Sequence, residues 1–249
     1  MPTLPRDVGL LEVIALHAAD AERAQRGGAD RLEIVGTMDN DGLSPEPALV
    51  GQISRATDLP LRVMVRLRDG FSTDGAELAR LRGLAEGYLE VGAEGLVLGF
   101  LNGHTEVDVE VVSELVGDLD CPWTFHRAID SCISPDRAWR DLRNLPGLSQ
   151  VLTAGSARGV DDGLDDLLNR ARTDPFARDL IMAGGGLKAE HVPWLANAGV
   201  RAFHIGSSAR PTSSFKAYID PDLVRSWRTL IDNATRRAQP SDITADPLP

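Results

Sequence analysis

The chain has 249 residues, of which 43% are hydrophobic and 25% are charged, and its formal net charge is −11. These proportions are typical of a globular protein, and no apolar run approaches the roughly 20 residues that would cross a membrane. The negative charge disfavours nucleic acid as a partner, because binding to a phosphate backbone depends on clustered lysine and arginine.

The chain contains two cysteines, Cys121 and Cys132. They are too few for a disulfide framework, and their spacing matches no zinc motif. Residues 1–7 lack the basic and apolar regions of a secretion signal. We therefore expect reduced thiols and a cytoplasmic location.

Eight short apolar runs rich in β-branched residues recur along the chain. The predicted strands are residues 11–16, 31–35, 61–66, 95–99, 122–126, 148–153, 179–183 and 201–206. Helical patterns separate them, and Ser44 before Pro45 and Ser134 before Pro135 are typical of helix N-termini. Eight alternating strands and helices predict a single-domain (β/α)8 barrel, a TIM barrel, with an open doubly wound sheet as the alternative.

The C-terminal part of the chain divides into two segments. Residues 220–237 predict a last amphipathic helix, with Leu223, Trp227 and Ile231 at helical spacing. Residues 239–249 are polar and contain prolines, so we expect a disordered tail there. The predicted barrel domain therefore spans residues 1–238.

Charged residues interrupt strands that should be almost wholly apolar. Glu12 lies in the first strand, Glu33 in the second, Arg66 at the end of the third and His126 at the end of the fifth. Because an isolated buried ion costs several kcal/mol, these groups must pair, reach solvent or contact a ligand. The functional interpretation is an acid–base site at the C-terminal mouth of the barrel, and the alternative is an internal ion-pair network.

Alternation along the chain places Arg66 and Arg68 on one side, where both could bind an anion at the mouth. By the same rule only one of His126 and Arg127 faces the interior, and we favour His126. Asp130 follows closely enough to orient the imidazole or to coordinate a ligand.

Glycines and hydroxyls follow the last three strands. Loops after the seventh and eighth strands of such barrels often hold a phosphate, and glycine lets the backbone approach an anion closely. The candidate anion-binding residues here are Thr153, Gly184, Gly185, Gly186, His204 and Ser207.

Together these segments resemble the CutC family. The matching segments are 11–12, 28–33, 42–45, 66–68, 124–130, 152–155, 181–186, His204 and Ser207. The most specific is Thr-Phe-His-Arg-Ala-Ile-Asp over 124–130. The resemblance covers residues 10–210 in order, and it implies the barrel fold, a cytoplasmic location and a role in copper homeostasis.

The chain departs from that family pattern at positions that bear on copper. Members often carry cysteines where this chain has Ile14, Ala15 and Val35. Copper(I) prefers thiolate and thioether ligands, so Cys132 is left as the one candidate metal ligand, and copper is implied by the resemblance alone.

From the residues themselves we expect an enzyme, an isomerase or lyase, that acts on a small anionic metabolite, with phosphorylated metabolites among the candidates. Glu12, Glu33, His126 and Asp130 would transfer protons, and Arg66 and Arg68 would stabilise charge. The alternatives are a copper-binding or copper-trafficking protein and a non-catalytic regulatory barrel. Homo-oligomerisation is left open.

Overall fold

The computed structural model describes residues 8–238, and the predicted tail over 239–249 lies outside them. Within these residues, eight parallel strands pair in chain order and the eighth closes onto the first. The strands are β1 (Leu10–Ala15), β2 (Arg31–Ile34), β3 (Leu61–Met64), β4 (Gly95–Leu98), β5 (Trp123–Phe125), β6 (Leu148–Thr153), β7 (Ile181–Ala183) and β8 (Ala202–Ile205). The predicted (β/α)8 barrel is confirmed, and closure excludes the open sheet.

Helices surround the barrel. They are α1 (Ala18–Gly27), α2 (Pro47–Ser54), α3 (Gly75–Glu90), α4 (Val109–Val116), α5 (Pro135–Leu142), α6 (Val160–Thr173), α7 (Pro175–Leu180), α8 (Val192–Asn197) and α9 (Pro221–Arg237). The predicted last helix is confirmed, and its residues Val224, Trp227 and Ile231 are buried. None of the helices formed by residues 8–238 is long and apolar enough to cross a membrane.

Two local predictions need correction. Residues 179–180 belong to α7, since β7 begins only at Ile181. Ser44 does not cap a helix, because α2 begins at Pro47. Its hydroxyl instead donates to the Met64 carbonyl and accepts from the Arg66 amide, which ties this loop to β3. The Ser134 cap is confirmed by a hydrogen bond from the Arg137 amide.

Side chains alternate between the helix layer and the barrel interior. Leu11 and Val13 of β1 belong to the large apolar core under the helices. Residues at even positions of β1 face inward, and strand pairing sets Glu12 beside Arg31 and His204. The interior therefore contains a layer of charged side chains.

Two clusters of apolar side chains accompany that charged layer. Ile14, Leu16, Val35, Met64 and Val97 form a cluster toward the C-terminal ends of the strands. A second cluster contains Leu152, Met182 and Ala202, with Leu10 packed against it. The charged groups are thus held in an apolar surrounding, which strengthens their mutual electrostatic interactions.

Candidate functional site

A cavity of about 310 Å³ opens at the C-terminal mouth of the barrel. Seven of the twelve predicted catalytic and anion-binding residues line it: Glu33, Arg66, His126, Gly185, Gly186, His204 and Ser207. They come from five different strands or the loops that follow them. This is the end of the barrel at which TIM-barrel enzymes carry their active sites.

Glu33 lies at the inner end of the cavity with its side chain 3% exposed. One carboxylate oxygen, Oε2, lies 3.5 Å from Nε2 of His204. The other, Oε1, is buried and has no hydrogen-bond partner. Burial raises the pKa of Glu33 to about 7, since the charges of His204 and Arg31 lower it less than burial and the Glu12 carboxylate raise it. Glu33 can therefore accept or release a proton near neutral pH.

A fully buried chain of groups supports Glu33 from below. Nδ1 of His204 lies 2.9 Å from Oε1 of Glu12, and Nε of Arg31 donates to Oε2 of Glu12 at 2.5 Å. Burial alone would raise the pKa of Glu12, but Arg31 and His204 lower it to about 2. For His204 the effects are reversed: burial alone would lower its pKa, but the two glutamates raise it. Glu12 therefore stays ionised, and its carboxylate raises the pKa of both His204 and Glu33.

Glu12 itself does not line the cavity. Its carboxylate is fully buried and holds Arg31 and His204. This position suits a residue that orients His204. The alternative prediction, an internal ion-pair network, is confirmed for the pair formed by Glu12 and Arg31.

His126 forms a wall of the cavity and is 4% exposed. Its Nδ1 accepts a hydrogen bond from the Ala128 amide at 3.2 Å, while Nε2 is buried without a partner. Burial lowers the pKa of His126 to about 3, and the Arg66 and Arg127 cations add to that effect. The imidazole is therefore neutral at pH 7, and because Nδ1 is an acceptor its proton resides on Nε2.

Gly99 at the end of β4 makes room for this imidazole. A β-carbon on Gly99 would lie 2.6 Å from Nδ1 of His126, closer than real contacts allow. On another side the ring of Phe71 packs at a centroid distance of 5.4 Å. The ring of His126 is therefore fixed by its neighbours.

Arg66 is 6% exposed, and its guanidinium organises two loops at the mouth. Nε donates to the Gly70 carbonyl at 3.0 Å, and Nη1 donates to the carbonyls of Asn40 and Gly42. Its one salt-bridge partner among the described residues is Asp69, whose Oδ1 lies 3.7 Å from Nη2 and whose side chain is 80% exposed. Asp41, which lines the cavity, is a second nearby carboxylate, and both acidic groups partly offset the charge of Arg66. Nη2 makes no hydrogen bond to the described residues that is shorter than this contact, so it can still donate to an anion.

Arg68, in contrast, does not reach the cavity. Its Nη2 donates to Asp74 at 2.9 Å and its Nε to Glu77 at 2.6 Å, at the start of α3. The predicted two-arginine clamp is wrong, because β3 ends at Met64 and strand alternation no longer applies four residues later.

Asp130 and Thr153 also lie away from the cavity. Asp130 accepts hydrogen bonds from the Thr153 hydroxyl at 2.6 Å, the Ala154 amide at 2.9 Å and Nε of Arg127 at 2.9 Å. It does not contact the imidazole of His126. Both residues border a groove beside α5 and α6, since Thr153 follows inward-facing Leu152 and so points outward. Burial raises the pKa of Asp130, although its three donors oppose the rise.

The three glycines after β7 have different surroundings. Gly184 does not line the cavity: its amide donates to the Thr153 carbonyl, and a β-carbon on it would lie 2.9 Å from Cβ of His204. Gly185 and Gly186 do line it, with φ angles of 88° and 79°. A β-carbon on Gly185 would lie 2.6 Å from Nε of Arg127, so glycine there accommodates that guanidinium.

Arg127 lines the cavity together with His126, which the alternation rule did not anticipate. The strand ends at Phe125 and a 3-10 helix follows over Arg127–Ser131, so neighbouring side chains can point the same way. Nη2 of Arg127 donates to the Ser156 and Ala157 carbonyls and joins the loops after β5 and β6. Met38, Phe71 and Phe215 are further lining residues from loops, for which the sequence holds no periodic signal.

The cysteines do not form a copper site. Cys121 precedes β5 and Cys132 follows it, so the two lie toward opposite ends of that strand, and both are buried. Burial raises the pKa of Cys132 to about 11, helped by nearby carboxylates. Among the described residues, Cys132 belongs to no group of three potential metal ligands. The Cys132 candidate is therefore not supported by its surroundings.

Among residues 8–238, one group of three potential ligands could hold a metal ion: Asp161, Glu190 and His191. It contains no sulfur, and Nζ of Lys188 lies 2.6 Å from Oδ2 of Asp161. Copper(I) prefers soft ligands, so this surface group does not fit that ion.

Comparison with known proteins gives consistent results. The family model of the CutC family matches residues 10–209. A family protein CutC of Klebsiella pneumoniae (strain 342) is 34% identical over 203 residues, which cover 79% of each chain. One of Xanthomonas axonopodis pv. citri (strain 306) is 36% identical over 205 residues, covering 80% of this chain and 83% of the other.

A similar solved structure is that of a protein from Streptococcus agalactiae named for copper homeostasis, CutC. It superposes with a TM-score of 0.71 at 24% identity and covers 80% of this chain and 98% of its own. At that identity the likeness supports the fold.

Proposed function

This chain belongs to the CutC family, and we propose that it is an enzyme that binds a small anionic metabolite at the barrel mouth and transfers a proton on it. The observation that carries the proposal is the pair of buried atoms without partners, Oε1 of Glu33 and Nε2 of His126. Both residues line one cavity. Buried polar atoms are normally satisfied, so two unsatisfied atoms on residues that line one cavity favour a bound ligand.

The two atoms have complementary chemistry. Oε1 of Glu33 is an acceptor whose carboxyl group titrates near neutral pH, while Nε2 of the neutral His126 is a donor. Arg66 adds a cation at the mouth, and Gly185, Gly186 and Ser207 form the rim after β7 and β8. The arrangement suits an anionic end near the rim and a reacting group near Glu33.

Titration with 2-phosphoglycolate, followed by calorimetry, tests this function. We expect Arg66→Met and His126→Phe each to weaken binding at least tenfold, because each removes a donor at the cavity. Arg68→Ala is the matched control and should change affinity less than twofold, since its guanidinium is engaged by Asp74 and Glu77.

Circular dichroism should show all three variants folded. Binding too weak to detect in the wild-type protein, or equal affinity in all three variants, would contradict the proposal. Equal affinity would favour a non-catalytic barrel.

Copper binding is the second candidate, because the thioethers of Met38 and Met64 line the same cavity as the unpartnered imidazole nitrogen. Thioether and imidazole groups suit Cu(I). Titration with Cu(I) under reducing conditions separates the two functions. We expect no stoichiometric binding, and binding that is abolished by Met64→Leu but kept in Cys132→Ala would favour copper over the enzyme.

We also propose a cytoplasmic location and a small molecule, not nucleic acid, as the partner. The two free, buried cysteines fit a reducing compartment. The net charge of −11 is unfavourable for a phosphate backbone.

A further inference from the structure

We infer that the cavity catalyses enolisation: Glu33 moves a proton on a carbon next to a carbonyl group, while Nε2–H of His126 holds the carbonyl oxygen. The substrate class is a small phosphorylated carbonyl compound. This inference rests on the proposed function and assigns a reaction to the same cavity.

The donor side of the cavity fits a carbonyl oxygen. The Ala128 amide engages Nδ1 of His126 at 3.2 Å, so the ring presents its N–H through Nε2, which has no partner. Gly99 and Phe71 fix the ring plane. Because the imidazole is neutral, it can stabilise a developing enolate by hydrogen bonding and does not protonate the base.

The acceptor side fits a base that acts on carbon. Oε2 of Glu33 lies 3.5 Å from Nε2 of His204, whereas Oε1 is buried without a hydrogen-bond partner on a residue that lines the cavity, so its bonding capacity is left for a substrate. A base whose pKa lies near the working pH can take a proton and return it in the same cycle. His204 and Glu12 hold the carboxyl group in place from beneath.

The composition of the cavity disfavours routes through a covalent intermediate with lysine or cysteine. None of the described residues that line it is a lysine or a cysteine, so it supplies no amine for a Schiff base and no thiol nucleophile. The volume of about 310 Å³ is at the small end for ligand cavities. A compound of a few carbons with one charged end fits these limits.

The step balances without a redox partner. The C–H bond breaks, its proton goes to Oε1 of Glu33, and its electron pair forms the carbon–carbon double bond of the enolate. The carbonyl oxygen takes up the displaced pair and accepts the hydrogen bond from Nε2 of His126. Return of the proton to the same carbon gives exchange. Where that carbon carries a hydroxyl group the intermediate is an enediolate, and transfer of the hydroxyl proton to the former carbonyl oxygen, with return of the carbon-bound proton from Glu33 to the neighbouring carbon, gives the isomer.

The test compares two ligands that differ at one group. Phosphoglycolohydroxamate mimics a phosphorylated enolate, and 2-phosphoglycolate carries the same phosphate without that mimicry. We expect the hydroxamate to bind the wild-type protein at least 100-fold more tightly, as for an intermediate analogue. The His126→Phe variant should reduce this ratio at least tenfold, because the donor to the enolate oxygen is lost.

His104→Phe is the matched control. It makes the same substitution at an exposed histidine that does not line the cavity, and the ratio of the two affinities should stay as in the wild-type protein. Equal affinity for the two ligands would overturn the inference while leaving the proposed function standing. Failure of both ligands to bind would overturn both, and a ratio that survives His126→Phe would refute the role of the imidazole.

Discussion

Two buried carboxylates of this barrel, those of Asp20 and Glu33, differ in how many hydrogen bonds their oxygen atoms accept. Asp20 of α1 accepts from the Leu16 and Ile219 amides, both at 3.0 Å, and from Nη1 and Nη2 of Arg210 at 3.1 and 2.8 Å. Glu33 has one oxygen 3.5 Å from His204 and the other without a partner. The first carboxylate is saturated and the second is not.

Their surroundings differ in the same way. Asp20 and Arg210 do not line the cavity, and they join β1, α1 and the segment before α9. Arg210 leaves Nε without a partner, and its guanidinium carbon lies 5.2 Å from the centre of the Phe215 ring. Glu33 faces an accessible cavity. Saturated pairing indicates a structural role, whereas an unsatisfied acceptor at a cavity indicates a place for a ligand.

Breaking the saturated pair should have the largest effect on stability. Asp20→Ala leaves the buried guanidinium of Arg210 without its carboxylate, and we expect the free energy of unfolding to fall by about 3–5 kcal/mol. Urea denaturation measures this loss. The double variant Asp20→Leu with Arg210→Met removes both charges and should recover a large part of it; no recovery would show that the pair is not the cause.

Glu33→Gln should have a smaller and opposite effect that depends on pH. The pKa of Glu33 is raised from 4.5 to about 7, so between these values the folded protein binds the proton more tightly than the unfolded chain. Stability from this group is present below pH 4.5 and is lost as pH rises through 7. The groups that face Glu33 are His204 of β8, Glu12 of β1 and Arg31 of β2.

At about 1.4 kcal/mol per pKa unit, the variant should gain up to about 3 kcal/mol relative to the wild-type protein between pH 4.5 and 8. Urea denaturation of both proteins across this range provides the measurement. If the difference in the free energy of unfolding between the two proteins did not change with pH, Glu33 would not titrate in this range. The contrast between Glu33 and Asp20 would then be lost.

Much of the fold can be predicted from the sequence, because strand and helix periods repeat eight times and each unit is local. Glu33, Arg66 and His126 could also be found, since a charge inside an apolar strand is informative wherever the strand lies. Arg68, Asp130 and Thr153 were misplaced for a common reason. Their directions depend on where a strand ends and on which face it presents, and tertiary pairing decides both.

The Asp20 and Arg210 pair could not be predicted. An acidic residue in the first turn of a helix is expected from the helix dipole alone, and its partner lies 190 positions along the chain. The absence of a hydrogen-bond partner at Oε1 of Glu33 and at Nε2 of His126 also results from side-chain packing. No residue pattern encodes it.

The most direct test of a proton-transfer site at the barrel mouth is a carboxyl ¹³C titration by NMR with labelled glutamate, with Glu33→Gln used to assign the signal. The raised pKa of Glu33 predicts a midpoint near 7 that shifts when 2-phosphoglycolate binds, while Glu12 stays ionised throughout. A midpoint near 4.5, unchanged by the ligand, would contradict the account.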